Sequence, residues 1–184
     1  MPTRHAIFAQ SLFGYIGKAG NHPLLWKLKG DLPRFKQLTD GAAIIMGRYT
    51  MDSLPGLLPN RFHIVVSRTL APTYDSEQNV AVVNSLEDAF ALASQYGYED
   101  HFVIGGGALI NEALPYCHKV HRTVVLETIP TEGDMAMVDL PMKPPHWGRF
   151  TMDECTEFHD EGTTWYDYEV YSQPTPLQPK ERIM

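Results

Sequence analysis

Five short β-rich apolar runs recur along the chain: HAIFA (5–9), AAIIM (42–46), FHIVVS (62–67), VAVV (80–83) and HFVIG (101–105). A strand wetted on one face alternates apolar with polar residues, whereas near-continuous apolar runs suit strands covered on both faces, as in a largely parallel sheet. Helical stretches lie between them. SLEDAFALASQYG places Ser85 as N-cap with Asp88 three residues on, an apolar face of Ala89, Phe90, Leu92 and Ala93, and a closing Gly97. GDLPRFKQLTDG is shorter, with Asp31 near its start, Pro33 in its first turn, and Leu32, Phe35 and Leu38 at helical spacing. The chain then changes character. KVHRTVVLET reads as a further strand, and RFTMDECTEFH with TTWYDYEVYS, joined by DEG, reads as an antiparallel hairpin. In that hairpin Tyr166, Tyr168 and Val170 alternate with Asp167 and Glu169, which predicts one apolar and one wet face. The fold class is therefore α/β: a single domain over 1–172 with a mixed, mostly parallel sheet flanked by helices and a C-terminal antiparallel hairpin. Residues 173–184, rich in proline and polar side chains, read as an extended, poorly ordered tail.

A chain of 184 residues, 43% hydrophobic, can build one sizeable core. Its formal net charge of −7 argues against a nucleic-acid or anionic-membrane surface, so an anionic ligand has to be held by a few local cations. The segment MPTRHAIFAQ lacks the pattern of a signal peptide and no later apolar run is long enough to span a bilayer, which predicts a cytoplasmic protein. Cys117 and Cys155 form no C-x-x-C pair and read as reduced thiols. Cys117, His118 and His121 in CHKVH lack a second ligand pair at zinc-like spacing, so no metal site is expected.

Three places invite chemistry. HFVIGGGALINEALP carries a strand through Gly105, Gly106 and Gly107 into a helix. The glycines permit a tight turn; they also leave bare backbone N–H groups at a helix N-terminus, where phosphate binds. Neither GGGALI nor GYIGKAG has the spacing of a standard nucleotide fingerprint. Two other strands end in Gly47-Arg48 and Ser67-Arg68, each offering an arginine, whose planar fork suits phosphate, although either could be a solvated surface residue. Asp31 admits two readings, a helix cap or a lone carboxylate among Leu25, Trp26, Leu32 and Phe35 whose pKa burial would raise, fitting it to bind a heterocycle. Arg61, beside Leu57 and Leu58, is either a surface cation or a carboxylate clamp at the mouth of an apolar cleft.

Taken together, GYIG, LLWKLKGDLPRFKQLT, IIMGRYTMDSLPGLLPNRFHIVVSR, FVIGGGALINEALP and EGD resemble the dihydrofolate reductase family in order and approximate spacing, over residues 5 to about 172. The resemblance implies NADPH-dependent reduction of 7,8-dihydrofolate to tetrahydrofolate, hydride passing from the nicotinamide to pterin C6 while N5 gains a proton from water. It implies that Asp31 binds the pterin, with Trp26 and Thr123 completing the catalytic group, and that Ile7, Leu32, Phe35, Leu58 and Ile104 line the substrate site with Arg61 on the glutamate carboxylate. It assigns to NADPH the backbones of Ala9 and Ile16, the group Gly47, Arg48, Tyr49 and Thr50, the pair Ser67 and Arg68, and Gly105, Gly106, Gly107, Ala108 and Leu109, with a cis peptide between Gly105 and Gly106. A monomer and susceptibility to antifolate inhibitors are further implications.

The chain departs from the family pattern in a longer GKAGNHPLLW loop (17–26), in Ile110 where an aromatic Tyr often meets the cofactor, in an extended segment before EGD, and in the tail. Two rivals keep the same phosphate contacts: a pterin or pyrimidine reductase, which would have no use for both Asp31 and Arg61, and a binding protein that turns nothing over.

Overall fold

The computed structural model describes residues 1–18, 26, 28–126, 137–139, 150–160 and 164–179. The apolar runs form strands. In chain order the elements are β1 (Thr3–Ser11), β2 (Tyr15–Lys18), α1 (Asp31–Leu38), β3 (Ala43–Gly47), α2 (Arg48–Ser53), β4 (Phe62–Val66), β5 (Thr73–Asp75), β6 (Val80–Val83), α3 (Leu86–Gln95), β7 (Asp100–Gly105), α4 (Gly107–Ala113), a 3-10 turn (Leu114–Tyr116), β8 (Lys119–Val125), β9 (Met137–Asp139), β10 (Thr151–Asp160) and β11 (Thr164–Ser172). The main sheet runs β10-β11-β8-β1-β7-β3-β4-β6-β5. It is parallel from β8 through β6, and antiparallel where β11 joins β8, in the β10–β11 hairpin and at the β5 edge.

Side-chain alternation divides the core between the two faces of this sheet. On one face Ala6, Phe8, Ala43, Ile45, Phe62, Ile64 and Val103 pack under α3 and α4 through Leu86, Phe90, Leu109 and Ile110. On the other, Ile7, Ile44, Met46 and Phe102 meet Phe35 and Leu38 of α1 and Met51 of α2. A smaller cluster of Trp26, Leu28, Val125 and Tyr166 extends that second face toward the hairpin. The cap foreseen for α3 is present: Ser85 Oγ accepts from the Asp88 amide at 3.1 Å and donates to Asp88 Oδ2 at 2.6 Å, and Gly97 leaves the helix at φ +78°.

Several features were not legible in the periodicity. α2 is a single turn and a half without a sequence signature of its own, and β5 and the β2–β9 pair are too short to carry a pattern. The face of the hairpin expected to be wet is covered at its β8 side: Asp167 is half-buried and Glu169 buried, while Trp165 and Cys155 are exposed. Glu169 is buried in an ion pair with Arg122 and accepts from Tyr171 Oη at 2.9 Å, because β8 supplies across the sheet the cation that a buried carboxylate requires. The cysteines are both free, Cys117 buried and Cys155 exposed. Cys117, His118 and His121 do not converge: Cys117 packs in the α3–α4 cluster, His118 Nδ1 accepts from the Arg4 amide, and His121 bonds His5 and Tyr168.

The reading of residues 173 onward as a poorly ordered tail is corrected over 173–179. Gln173 is buried, its amide N–H donates to His118 O at 3.0 Å, and its side-chain Nε2 reaches Cys117 O at 2.6 Å with Leu114 O and Pro115 O at 3.4 Å. Pro176 is buried, the Leu177 amide donates to Pro115 O, and Arg4 Nη2 approaches Leu177 O and Gln178 Oε1. Polar composition hid this docking, since carbonyls left open after the 3-10 turn make a polar side chain the suitable partner. Residues 180–184 lie outside the described residues. Deleting 173–184 is expected to remove about 3 kcal/mol, at about 1 kcal/mol for each of the bonds to His118 O, Cys117 O and Pro115 O, and to lower the melting temperature by about 6–12 °C. Turnover should be preserved. A melting curve coincident with that of the full chain would show that the strap contributes nothing.

Candidate active site

Asp31 is the first residue of α1, but it does not cap the helix. The N-cap position is Gly30, with no side-chain cap bond. The Asp31 side chain reaches β8, where Thr123 Oγ1 donates to Oδ1 at 2.6 Å. Thr123 is itself buried, so the carboxylate is withdrawn from water on that side. Burial raises the Asp31 pKa, and the Thr123 bond and the charge of Arg34, one turn further on, oppose the rise. Oδ2 accepts no hydrogen bond among the described residues, and Asp31 is half-buried. Trp26, packed with Val125 and Ala9, is buried with no acceptor for its indole N–H among the described residues, a donor of the kind that water or a ligand satisfies.

An apolar wall continues from this point along the second face of the sheet. Ile7, Phe35, Leu58 and Ile104, expected at the substrate, belong to one cluster with Met51 and Leu54. Leu32 differs: it is 57% exposed and outside that cluster, because its position on α1 turns away from the sheet that Phe35 packs against. Leu58 is held by a residue the sequence reading passed over. His63, buried on β4, accepts the Leu58 amide on Nε2 at 3.0 Å, and burial lowers its pKa.

Arg61 is no surface cation, being 7% exposed. Its Nε donates to Thr39 Oγ1 at 3.2 Å, Nη1 to Pro59 O and Nη2 to Lys36 O, with Asp40 Oδ1 3.6 Å from Nη1. Those three bonds use three of the five guanidinium N–H groups, leaving two, the number a bidentate carboxylate accepts.

At the carboxyl edge of the sheet, β7, β3 and β4 end side by side, each running into a turn or helix. The Gly105-Gly106 peptide is cis, and Gly105 has φ +152°. A side chain there would put its first carbon 2.9 Å from Thr50 Oγ1, so only glycine fits between β7 and α2. Gly47 closes the same gap from β3: a carbon added to it would stand 3.7 Å from the Gly106 nitrogen. Two helices therefore begin beside each other, α2 after Gly47 and α4 after Gly106. The amides of Gly107, Ala108 and Leu109 occupy the first turn of α4, where no helical carbonyl precedes them.

Arg48 and Arg68 are exposed at this edge. Arg48 stands over the Tyr49 ring, 5.1 Å from its centroid. Ser67 is at the edge too, but its hydroxyl already accepts from the amides of Thr69 and Leu70 and shapes the turn that carries Arg68. Asn84 braces the same turn through Ser67 O and Leu70 O. Ala9 lies opposite Thr123 on β1 and packs against the Trp26 cluster. Ile16 is half-buried beside the α3–α4 core, and Ile110 is fully inside it. The Gly17–Trp26 loop apart from its ends, and the EGD segment, lie outside the described residues.

The apolar cluster of Ile7, Phe35, Leu58 and Ile104 thus adjoins a glycine turn with Arg48 beside it, Ile104 and Gly105 being neighbours on β7. Residues 4–172 match the family model for dihydrofolate reductase. The chain belongs to the dihydrofolate reductase family. It is 39% identical over 164 residues to the dihydrofolate reductase of Bacillus subtilis (strain 168), covering 89% of each chain. It is 37% identical over 134 residues to that of Mycobacterium tuberculosis (strain ATCC 25618 / H37Rv), covering 71% of this chain and 76% of that one. Among solved structures, dihydrofolate reductase from Enterococcus faecalis complexed with NADP(H) and RAB-propyl superposes with a TM-score of 0.75 at 31% identity, covering 94% of this chain and 97% of that one. Asn84 acts on Ser67 and Leu70 across the fold, whereas the i,i+3 spacing of Asp31 and Arg34 on α1 was a signal in the sequence that went unread.

Proposed function

We propose that the chain reduces 7,8-dihydrofolate with NADPH, and that Asp31 binds the pterin. The Asp31 carboxylate carries this reading, held on one oxygen by Thr123 and raised in proton affinity by burial. A carboxylate there pairs with the N–H edge of an aminopyrimidine ring, and its raised proton affinity keeps a proton close while N5 takes one from water. Trp26 supplies an N–H donor. Ile7, Phe35, Leu58 and Ile104 exclude water from the ring and its aminobenzoyl extension. Arg61 has two N–H groups for the glutamate carboxylate at the mouth of the cleft.

The glycine turn fits a pyrophosphate, since Gly105 admits no side chain beside Thr50 and Gly106 and Gly107 bring bare backbone to the start of α4. Arg48, Tyr49, Thr50, Ser67 and Arg68 border it, together with Gly107, Ala108 and Leu109. Ala9 and Ile16 lie where a nicotinamide would meet the carboxyl end of β1. NADPH, when bound, supplies the hydride; the chain supplies position, charge and a dry cleft. We place the protein in the cytoplasm as a monomer, with antifolates competing at Asp31. Among the described residues no helix is long and apolar enough to cross a membrane.

The test is NADPH oxidation followed with dihydrofolate and, separately, with a pterin lacking glutamate. Turnover of dihydrofolate is the expected result, and its absence would sink the proposal. Arg68→Ala should weaken NADPH binding by about one to two decades, the loss of one charge-assisted bond of about 1.5–3 kcal/mol, and leave NADH binding nearly unchanged. Equal losses for both cofactors would remove Arg68 from the 2′-phosphate.

A further inference from the structure

Beside Thr123, four polar side chains form a line across the substrate side of the sheet. Asp100, exposed at the start of β7, has Oδ1 3.1 Å from His5 Nε2. His5 Nδ1 is 3.2 Å from His121 Nε2, and His121 Nδ1 is 2.8 Å from Tyr168 Oη. His5, His121 and Tyr168 are all buried, with Phe102 stacked against His5 at 4.3 Å and tilted against His121.

The hydrogens in this line have one consistent arrangement. An ionised carboxylate only accepts, so His5 Nε2 carries a hydrogen. Neutral His5 then offers Nδ1 as an acceptor, which puts the next hydrogen on His121 Nε2. His121 Nδ1 accepts in turn, and the Tyr168 hydroxyl donates to it. Burial lowers both histidine pKa values, that of His121 to about 4, so the neutral arrangement holds at neutral pH. Charged or titratable groups face the line at every step. Lys119 and His118 stand near His5, Lys119 and Arg34 near His121, and Arg34, Glu154 and Asp31 near Tyr168.

The far end of the line meets the active site. The Arg34 guanidinium lies 3.4 Å from the centroid of the Tyr168 ring. Tyr168 is also the register partner of Thr123 across β11 and β8. Both influences that favour ionised Asp31, the Thr123 bond and the Arg34 charge, therefore rest on or beside one ring. We propose that His121 and Tyr168 are positioning residues for the reduction: the line from Asp100 anchors the Tyr168 ring beneath Arg34 and so sets how closely that charge approaches the Asp31 carboxylate. The inference rests on Asp31 as the pterin-binding group.

Two measurements test it. In the wild-type protein, ¹⁵N NMR of the histidines should show both His5 and His121 as Nε2–H tautomers at neutral pH; an Nδ1–H tautomer at His121 would overturn the line. Tyr168→Phe keeps a ring for Arg34 and removes the donor. Its apparent pKa should rise by about half a unit or more, because a less closely held Arg34 charge leaves Asp31 with a higher proton affinity, so single-turnover hydride transfer above the midpoint should rise by about threefold relative to its own low-pH plateau. A merely structural role would scale the rate equally at all pH values and leave the midpoint in place, which would overturn the proposal. Asp31→Asn in the same assay separates the two readings. Wild-type turnover in that variant overturns the role of Asp31 and the line's purpose with it, whereas a crippled Asp31→Asn beside an unmoved Tyr168→Phe midpoint overturns the line alone.

Discussion

Asp31→Asn is expected to lower turnover at neutral pH by about 10² or more, the scale for losing positioned acid–base assistance, in a protein that folds at least as well as the parent. Asparagine keeps the shape and an oxygen to accept from Thr123, so the loss falls on charge and proton affinity. The stability part follows from the sign of the pKa shift. Burial raises the Asp31 pKa in the folded state, so between the ordinary carboxylate value and that raised value the folded chain holds a proton that the unfolded chain has released. Stability therefore falls as pH rises through that window and stays lower above it. The Asn variant escapes this penalty, and its melting temperature at pH 7 should equal or exceed that of the wild type. Wild-type turnover should decline as pH rises through an apparent value belonging to enzyme and substrate together, while the variant recovers only as acid pre-protonates dihydrofolate. A pH–rate profile alongside thermal melts checks both halves. Full activity in the variant at all pH values would remove Asp31 from the chemistry.

Replacing Arg61 should have the next largest effect, expressed in KM. A clamp on a remote carboxylate acts equally in ground and transition states, so its loss raises KM for dihydrofolate by about one to two decades with little change in kcat. Arg61→Ala also strips Lys36 O, Pro59 O and Thr39 Oγ1 of a donor and should destabilise the fold. Arg61→Lys is the cleaner variant, since it keeps a charge but loses the planar fork. Steady-state kinetics with dihydrofolate and with a pterin lacking glutamate provide the check: only the first should suffer. Equal losses would make Arg61 a brace between α1 and the turn before β4.

Residues that act through their own backbone or by apolar patterning were legible in the chain. The strand cores at 42–46, 62–67 and 101–105 follow from unbroken β-rich runs, and the α3 cap follows from the spacing of Ser85 and Asp88. The glycine turn was legible because no other residue type could occupy Gly105. The cleft residues Ile7, Phe35, Leu58 and Ile104 were named through the family resemblance, and the fold gathers them into one cluster. Leu32, exposed and outside that cluster, shows that helical spacing alone does not say which residues of α1 pack against the sheet. Ser67 lies where expected but spends its hydroxyl on its own turn. Glu169 and Gln173 were misread by composition, which treats a polar side chain as wet until a partner is known.

The sequence by itself determined the class of sheet, the places of its central strands along the chain, the glycine turn and the family, because these depend on period, on backbone freedom and on motifs read along the chain. Tertiary structure alone decided that Asp31 answers to Thr123 and not to the amides of its own helix. It also decided that Arg61 is buried, that the last residues strap onto the 3-10 turn, and that His5, His121 and Tyr168 stand in line. Each of those pairs residues tens of positions or more apart, and a hydrogen bond depends on an approach within about 3 Å that only the packed sheet brings about.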